Sequence, residues 1–309
     1  MAPLHPQAKE FLSIVGGAPE FDSQSIAQSR AEMRQAIALT GTPAEVHKVE
    51  DTTLAAPQGP IQVRVYWPRQ SENQPVLIYF HGGGWVAGDL DLADTTARDL
   101  AIYGDIVVIS VDYRLAPENP HPAAVDDALA VTRSVLAGEI DGIDRFRVAV
   151  GGDSAGGNLA AVVSQQLRHE RGLVHQVLVY PVTQATVGAT ESYRRYGEDH
   201  FVTSRAMKYF FASYAPNVDP TDPTLAPLAN PDLTGLPAAT VVTSECDPLC
   251  DETEAYAAAM QAAGIAVEYR RYDGQVHPFL YMAGVIDDAV DARRFIGEAL
   301  QRAMKSTRS

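Results

Sequence analysis

Only two of the 309 residues are cysteine, Cys246 and Cys250, and they stand four apart around Asp247. So few thiols cannot staple a fold, and without a nearby histidine pair they make a weak zinc site. Both are expected as free, reduced cysteines. Basic side chains are also scarce: 24 Lys and Arg against 39 Asp and Glu leave a net charge of −15. That balance disfavours polyanions, and the pairs Arg194-Arg195 and Arg270-Arg271 are too short to build a phosphate-binding stripe, so nucleic acid is not an expected partner. No apolar run approaches the roughly 18 residues of a membrane span. The opening Met1-Ala2-Pro3-Leu4-His5-Pro6 lacks the basic-then-apolar pattern of a secretory leader, so the cytoplasm is the expected setting. Internal repeats and low-complexity tracts are missing as well. What is present, 46% hydrophobic residues over 309 positions, is enough for one large core.

The apolar runs have a rhythm. Val46 to Leu54 and the alternating Ile61, Val63, Val65 and Trp67 predict an antiparallel hairpin turning near Pro57 to Pro60. From Pro75 onward, strand-like runs alternate with helical stretches. The runs are Pro75 to Phe80, Ile106 to Val111, Arg147 to Val150, Gln176 to Tyr180, Ala239 to Ser244 and Val267 to Tyr272. The helical stretches include Asp94 to Tyr103, Ala123 to Leu136 and Ala155 to Glu170. The pattern predicts an α/β fold whose eight-stranded, mostly parallel sheet carries helices on both faces. Two regions break the rhythm: residues 1–45, with one helical stretch near Ser25 to Leu39, and an insertion at 184–232. Together they are expected to form a helical cap over a catalytic domain made of residues 46–183 and 233–309.

Directly after the run Val148-Ala149-Val150 comes Gly152-Asp153-Ser154-Ala155-Gly156. A serine flanked by glycines at a strand-to-helix turn has the pattern of a nucleophile elbow, in which the turn is too sharp for side chains at the flanking positions. A glycine-rich turn that merely holds a serine is the bland alternative. Against it stands the earlier His81-Gly82-Gly83-Gly84-Trp85, where three glycines past a strand leave backbone N–H groups open for a developing oxyanion. A dinucleotide-binding reading of Gly151 to Gly157 lacks its acidic partner, because the next strand ends in Tyr180-Pro181.

A serine nucleophile needs a base and an orienting carboxylate, following it in the chain order Ser, Asp or Glu, His. Among His169, His175, His200 and His277, only His277 stands on a turn after a late strand, between Gly274 and Pro278. For the carboxylate, Glu245, Asp247 and Asp251 all follow the strand ending at Ser244. Asp251, with Glu254 three residues on, reads as a capping box for a helix from Glu252 to Ala263. Asp247 has no such role and is preferred. In the insertion, Phe201, Tyr209, Phe210, Phe211 and Tyr214 fall at roughly helical spacing after Thr203 or Ser204; they either pack the cap or wall a substrate pocket.

These segments, with Asp112-Tyr113-Arg114-Leu115-Ala116-Pro117-Glu118, Pro122 to Asp127, Asp247-Pro248-Leu249, Asp251-Glu252 and His277-Pro278-Phe279, resemble the hormone-sensitive-lipase-like esterases of the α/β-hydrolase superfamily over nearly the whole chain. The resemblance implies Ser154, Asp247 and His277 as triad and the amides of Gly83, Gly84 and Ala155 as oxyanion donors, with His81 and Gly82 supporting the loop. It implies a serine carboxylesterase for short- to medium-chain acyl esters, with an amide or formamide hydrolase, a small-molecule deacetylase and a non-catalytic receptor as rivals. No cofactor or metal is implied. The expected partner is a small-molecule ester, with pairing into a homodimer left open. Trp85, Phe201, Phe210 and Phe211 are candidates for the acyl pocket. Cys250 and Trp85 depart from the family's usual residues without touching the triad.

Overall fold

A computed structural model describes residues 2–306. Its strands, β1 (Lys48–Leu54), β2 (Ile61–Trp67), β3 (Gln74–Phe80), β4 (Val107–Val111), β5 (Ile143–Asp153), β6 (Leu173–Val179), β7 (Ala238–Cys246) and β8 (Val267–Val276), form one sheet. The spatial order is β1-β2-β4-β3-β5-β6-β7-β8. β2 runs antiparallel to both β1 and β4, and every later pairing is parallel. Every residue of β3 is buried, as a strand covered on both faces requires.

The helices are α1 (Pro6–Val15), α2 (Ile26–Gln35), α3 (Leu90–Gly104), α4 (Ala123–Ala137), α5 (Ala155–Gln166), α6 (Glu191–Tyr196), α7 (Ser204–Tyr214), α8 (Cys250–Ala262) and α9 (Asp287–Ser306). The two faces of the sheet feed two cores. Val76, Ile78 and Phe80 of β3 pack with side chains of α4, α5 and α8, while Leu77 and Tyr79 pack with α3 and α9. That division follows from the period of two along a strand. All eight strand expectations are met, and the helices do lie on both faces.

Element ends and the outlying segments differ from expectation. α3 begins at Leu90 rather than Asp94, because Asp89 caps it through Leu92 N at 2.9 Å. α5 stops at Gln166, short of Glu170. α1 and the six-residue α6 were not anticipated, although α1 sets Ala8, Phe11, Leu12 and Val15 on one face against the core. The capping box expected of Asp251 and Glu254 does not form, since α8 starts at Cys250 with Leu249 at its cap position.

The chain passes from β3 to β4 on one side and returns to place β5 on the other side of β3. Such a switch point opens a crevice at the carboxyl ends of the two strands. Here it receives the loop after Phe80 and the turn at Ser154.

Candidate active site

Ser154 sits between β5 and α5 with φ 55° and ψ −120°, a left-handed conformation that is costly for any side-chain-bearing residue. Its neighbours explain how the strain persists. A Cβ on Gly156 would run into the Phe80 carbonyl, and one on Gly152 into both that carbonyl and the Gly156 backbone. The elbow is pinned on both sides, with Ser154 N donating to Val179 O at 2.9 Å and Ser154 O accepting from Asn158 N at 2.9 Å.

The facing loop is equally specific. Gly83, Gly84 and Trp85 follow one another at φ 120°, 62° and 58°. A Cβ on Gly83 would strike Ala87 O, and one on Gly84 the Phe210 ring. Val86 N and Ala87 N both donate to Gly83 O, at 3.1 and 3.0 Å, closing the turn. The Gly82 amide is committed to Asp153 Oδ1 at 3.1 Å and Tyr281 Oη at 3.2 Å. The amides of Gly83, Gly84 and Ala155 meet no protein acceptor among the described residues. His81 lies beneath the loop, stacked on Tyr113 at 4.4 Å, with its Nδ1 donating to Gly82 O at 2.8 Å.

Asp247 follows β7 and is fully buried. Its Oδ2 accepts from His277 Nδ1 at 2.8 Å and Ser244 Oγ at 2.9 Å, and its Oδ1 from Leu249 N at 2.8 Å. With Nδ1 so engaged, His277 keeps Nε2 for the cavity that His277 and Ser154 both line. No hydrogen bond joins His277 to Ser154 in this structure; such contacts commonly tighten only when substrate is bound.

The rival residues are occupied elsewhere. Asp251 Oδ2 accepts from Ser192 N at 2.8 Å, and Glu245 Oε2 from Gly274 N at 2.8 Å. His175 is buried in the sheet on Thr240, where burial pushes it down to about 4. His169 is exposed, and His200 bonds the Glu198 carbonyl.

The cavity measures about 1440 Å³ and runs from Ser154 between the N-terminal segment and the β6–β7 connection. Phe201 and Phe210 line it. Trp85 and Phe211 do not, which corrects their assignment as pocket candidates. Trp85 is fully buried and stacks on Tyr214 at 4.5 Å, with Phe211 tilted against it at 5.6 Å. The flat Trp85–Tyr214 contact packs both rings inside the protein, although Trp85 Nε1 and Tyr214 Oη meet no hydrogen-bond partner among the described residues.

Sequence reasoning missed three features. Asp153, next to Ser154, is buried, and its Oδ1 takes hydrogen bonds from Tyr79 at 2.8 Å and Tyr281 at 2.6 Å besides Gly82 N. Burial pushes its carboxyl upward. Its position beside the serine was a visible signal; the two distant tyrosines were not. Arg30 of α2, which reaches the glycine loop at Val86 O, gave no sequence signal at all. Glu252 is also buried and accepts from Thr183 N at 2.7 Å and Gln184 N at 3.2 Å.

Burial pushes the Glu252 carboxyl up to about 8 from its ordinary 4.5. Between those values the folded protein holds a proton that the unfolded chain has released, so this residue's contribution to stability falls as pH rises through the window. Melting curves of wild type and Glu252→Gln from about pH 5 to 8 should show a decline in Tm that is flatter in the variant. Identical slopes would remove the assignment.

Cys246 and Cys250 are both free and buried, and burial pushes the Cys246 thiol up to about 11 and that of Cys250 further. Among the described residues, no group of three or more His, Cys, Asp or Glu side chains is placed to hold a metal ion, and no helix is long and apolar enough to cross a membrane.

A profile described as the alpha/beta hydrolase fold matches residues 77–281. The carboxylesterase NlhH of Mycobacterium tuberculosis is 42% identical over 253 residues, covering 79% of each chain. An ethyl acetate hydrolase of Pseudomonas putida is 36% identical over 285 residues, covering 89% of each. Among solved structures, the ester-hydrolase EH1AB1 from the metagenome of Lake Arreo, complexed with a bipyridine phosphonate derivative, superposes with a TM-score of 0.93 at 37% identity, over 97% of this chain and 98% of that one. With the elbow serine, the glycine loop and the buried Asp-His pair at one switch point, the chain belongs to the α/β-hydrolase fold family, in its hormone-sensitive-lipase-like branch of ester hydrolases.

Proposed function

We propose that the chain hydrolyses short- to medium-chain acyl esters through an acyl-enzyme on Ser154. The observation that carries this reading is the Asp247–His277 hydrogen bond set on the same cavity as the strained serine. As Ser154 Oγ bonds to the ester carbonyl carbon, His277 Nε2 takes its proton, and the carbonyl oxygen gains charge beside the amides of Gly83, Gly84 and Ala155. Collapse breaks the bond to the alcohol, which leaves with the proton from His277. Water then repeats the sequence and releases the carboxylic acid. Asp247 fixes the tautomer and favours the imidazolium. The carboxylesterase and ethyl acetate hydrolase relatives support ester over amide substrates.

In this reading residues 1–45 and 184–232 cap the body formed by 46–183 and 233–309. Phe210 and Phe21 meet across the two cap segments at 4.9 Å, and Arg205 pairs with Asp22 at 2.8 Å. Because the Phe210 ring also lies over Gly84, it walls the inner cavity near the serine. Each methylene buried against such a wall contributes about 0.8 kcal/mol, or roughly fourfold in kcat/KM, until the wall is reached. A panel of nitrophenyl esters should therefore show kcat/KM rising from acetyl to a short or medium chain and then falling. Phe210→Ala should shift that optimum toward longer acyl groups. An unshifted profile in a destabilised variant would make Phe210 a packing residue only, and fast hydrolysis of long-chain triglyceride emulsions by the wild type would contradict the closed wall.

A further inference from the structure

One cap side chain reaches the oxyanion loop directly. Arg30 of α2 donates from Nε to Val86 O at 2.8 Å and from Nη2 to Ala116 O at 3.0 Å. The same guanidinium pairs with Glu118, at 2.9 and 2.7 Å. Both carbonyl acceptors belong to residues that hold the loop. Val86 N closes the turn onto Gly83 O, and Ala116 N donates to Trp85 O at 2.9 Å. A single planar fork thus ties the Gly83–Val86 turn to the segment that braces it from behind.

The ion pair with Glu118 is not what makes this arrangement informative. The Arg30 side chain is 29% exposed and that of Glu118 52%, and a pair so open to water contributes little by itself. The two bonds to backbone carbonyls are charge-assisted and directional; one ends on the loop whose Gly83 and Gly84 amides meet no protein acceptor among the described residues, the other on the segment that braces it. One turn further along α2, Arg34 Nε bonds Asp89 Oδ2 at 2.6 Å, at the far end of the same loop where α3 begins. Between these arginines, Glu32 and Met33 of α2 line the cavity. The helix that borders the substrate space is therefore fastened to the glycine loop at Val86 and again at Asp89, where the loop enters α3.

We infer that Arg30 is a positioning residue for the reaction: it transmits the placement of α2 to the Gly83 and Gly84 amides and so sets how well they meet the oxyanion. This rests on the proposed role of those amides. A displacement of about 1 Å in such donors costs up to roughly 100-fold in rate. The loss belongs to the transition state, so kcat should fall while KM stays nearly constant.

The test compares wild type, Arg30→Met and Arg30→Lys with nitrophenyl acetate and with a small alkyl boronic acid, whose tetrahedral adduct on the serine places an oxygen where the oxyanion develops. Arg30→Met should lower kcat about 10- to 100-fold, change KM less than about threefold, and weaken boronate binding by the same factor as kcat. Arg30→Lys keeps the charge but not the fork across two carbonyls, and should lie between the two; if Arg30→Met does not fold, it carries the comparison alone. A folded variant with kcat and boronate affinity within about twofold of wild type overturns the inference, and so does a loss confined to KM. Failure of the proposed amide role shows separately, as absent boronate inhibition of the wild-type protein.

Discussion

Ser154→Ala is expected to lose ester turnover while keeping its fold, leaving only a residual acceleration on the order of 10³ to 10⁴ over water from the remaining donors and substrate binding. The fold should survive because the elbow is held by backbone bonds from Ser154 to Val179 and Asn158 and by the close approach of Gly152 and Gly156 to Phe80. Alanine meets the same strain at φ 55° that serine does. Turnover of nitrophenyl acetate, with circular dichroism and Tm as controls, decides the matter. A correctly folded variant with near-wild-type kcat would remove Ser154 from the mechanism.

The second large effect separates the two carboxylates that follow β7. Asp247→Asn should lower kcat by roughly 10⁴, because an amide cannot both accept from His277 Nδ1 and stabilise the imidazolium that forms. The geometry raises the stakes: Oδ2 holds His277 and Ser244 together, and Oδ1 fixes the Leu249 amide. Asp251 instead bonds the Ser192 amide at 2.8 Å, joining α8 to α6. Asp251→Asn should therefore leave kcat within a few-fold of wild type and cost about 1 kcal/mol of stability. Kinetics and denaturant melts of both variants test the pair, and the reverse pattern would mean that the carboxylate is misassigned.

The fold was largely legible because its signals are local. A fully apolar run such as Val76 to Phe80 has few other uses, and the alternation of strands and helices then dictates a mostly parallel sheet. The elbow was legible because the glycines at 152 and 156 frame Ser154 in the sequence itself, although the Phe80 carbonyl that a Cβ at either would meet belongs to another strand. Asp247 could be preferred over Asp251 by its place in the turn, although the helix cap imagined for Asp251 does not exist.

What escaped depends on long-range partners. Trp85 and Phe211 look like pocket aromatics on paper, but Tyr214 gives Trp85 a face to stack on, and Phe211 follows it inward. The Asp153–Tyr79–Tyr281 cluster joins residues 74 and 128 positions apart. Arg30 lies 56 residues from the carbonyl it holds. α1 is the exception: Ala8, Phe11, Leu12 and Val15 stand at the spacing of a helical stripe, a local signal that went unread.

The most direct test of the account is covalent trapping with a small fluorophosphonate, whose tetrahedral phosphorus reports a nucleophile that is both activated and faced by oxyanion donors. Peptide mapping by mass spectrometry should place a single stoichiometric adduct on Ser154 Oγ, with esterase activity lost in step with labelling and the adduct missing from Ser154→Ala. An adduct on another residue that abolishes activity, or full activity in protein fully labelled at Ser154, would contradict it.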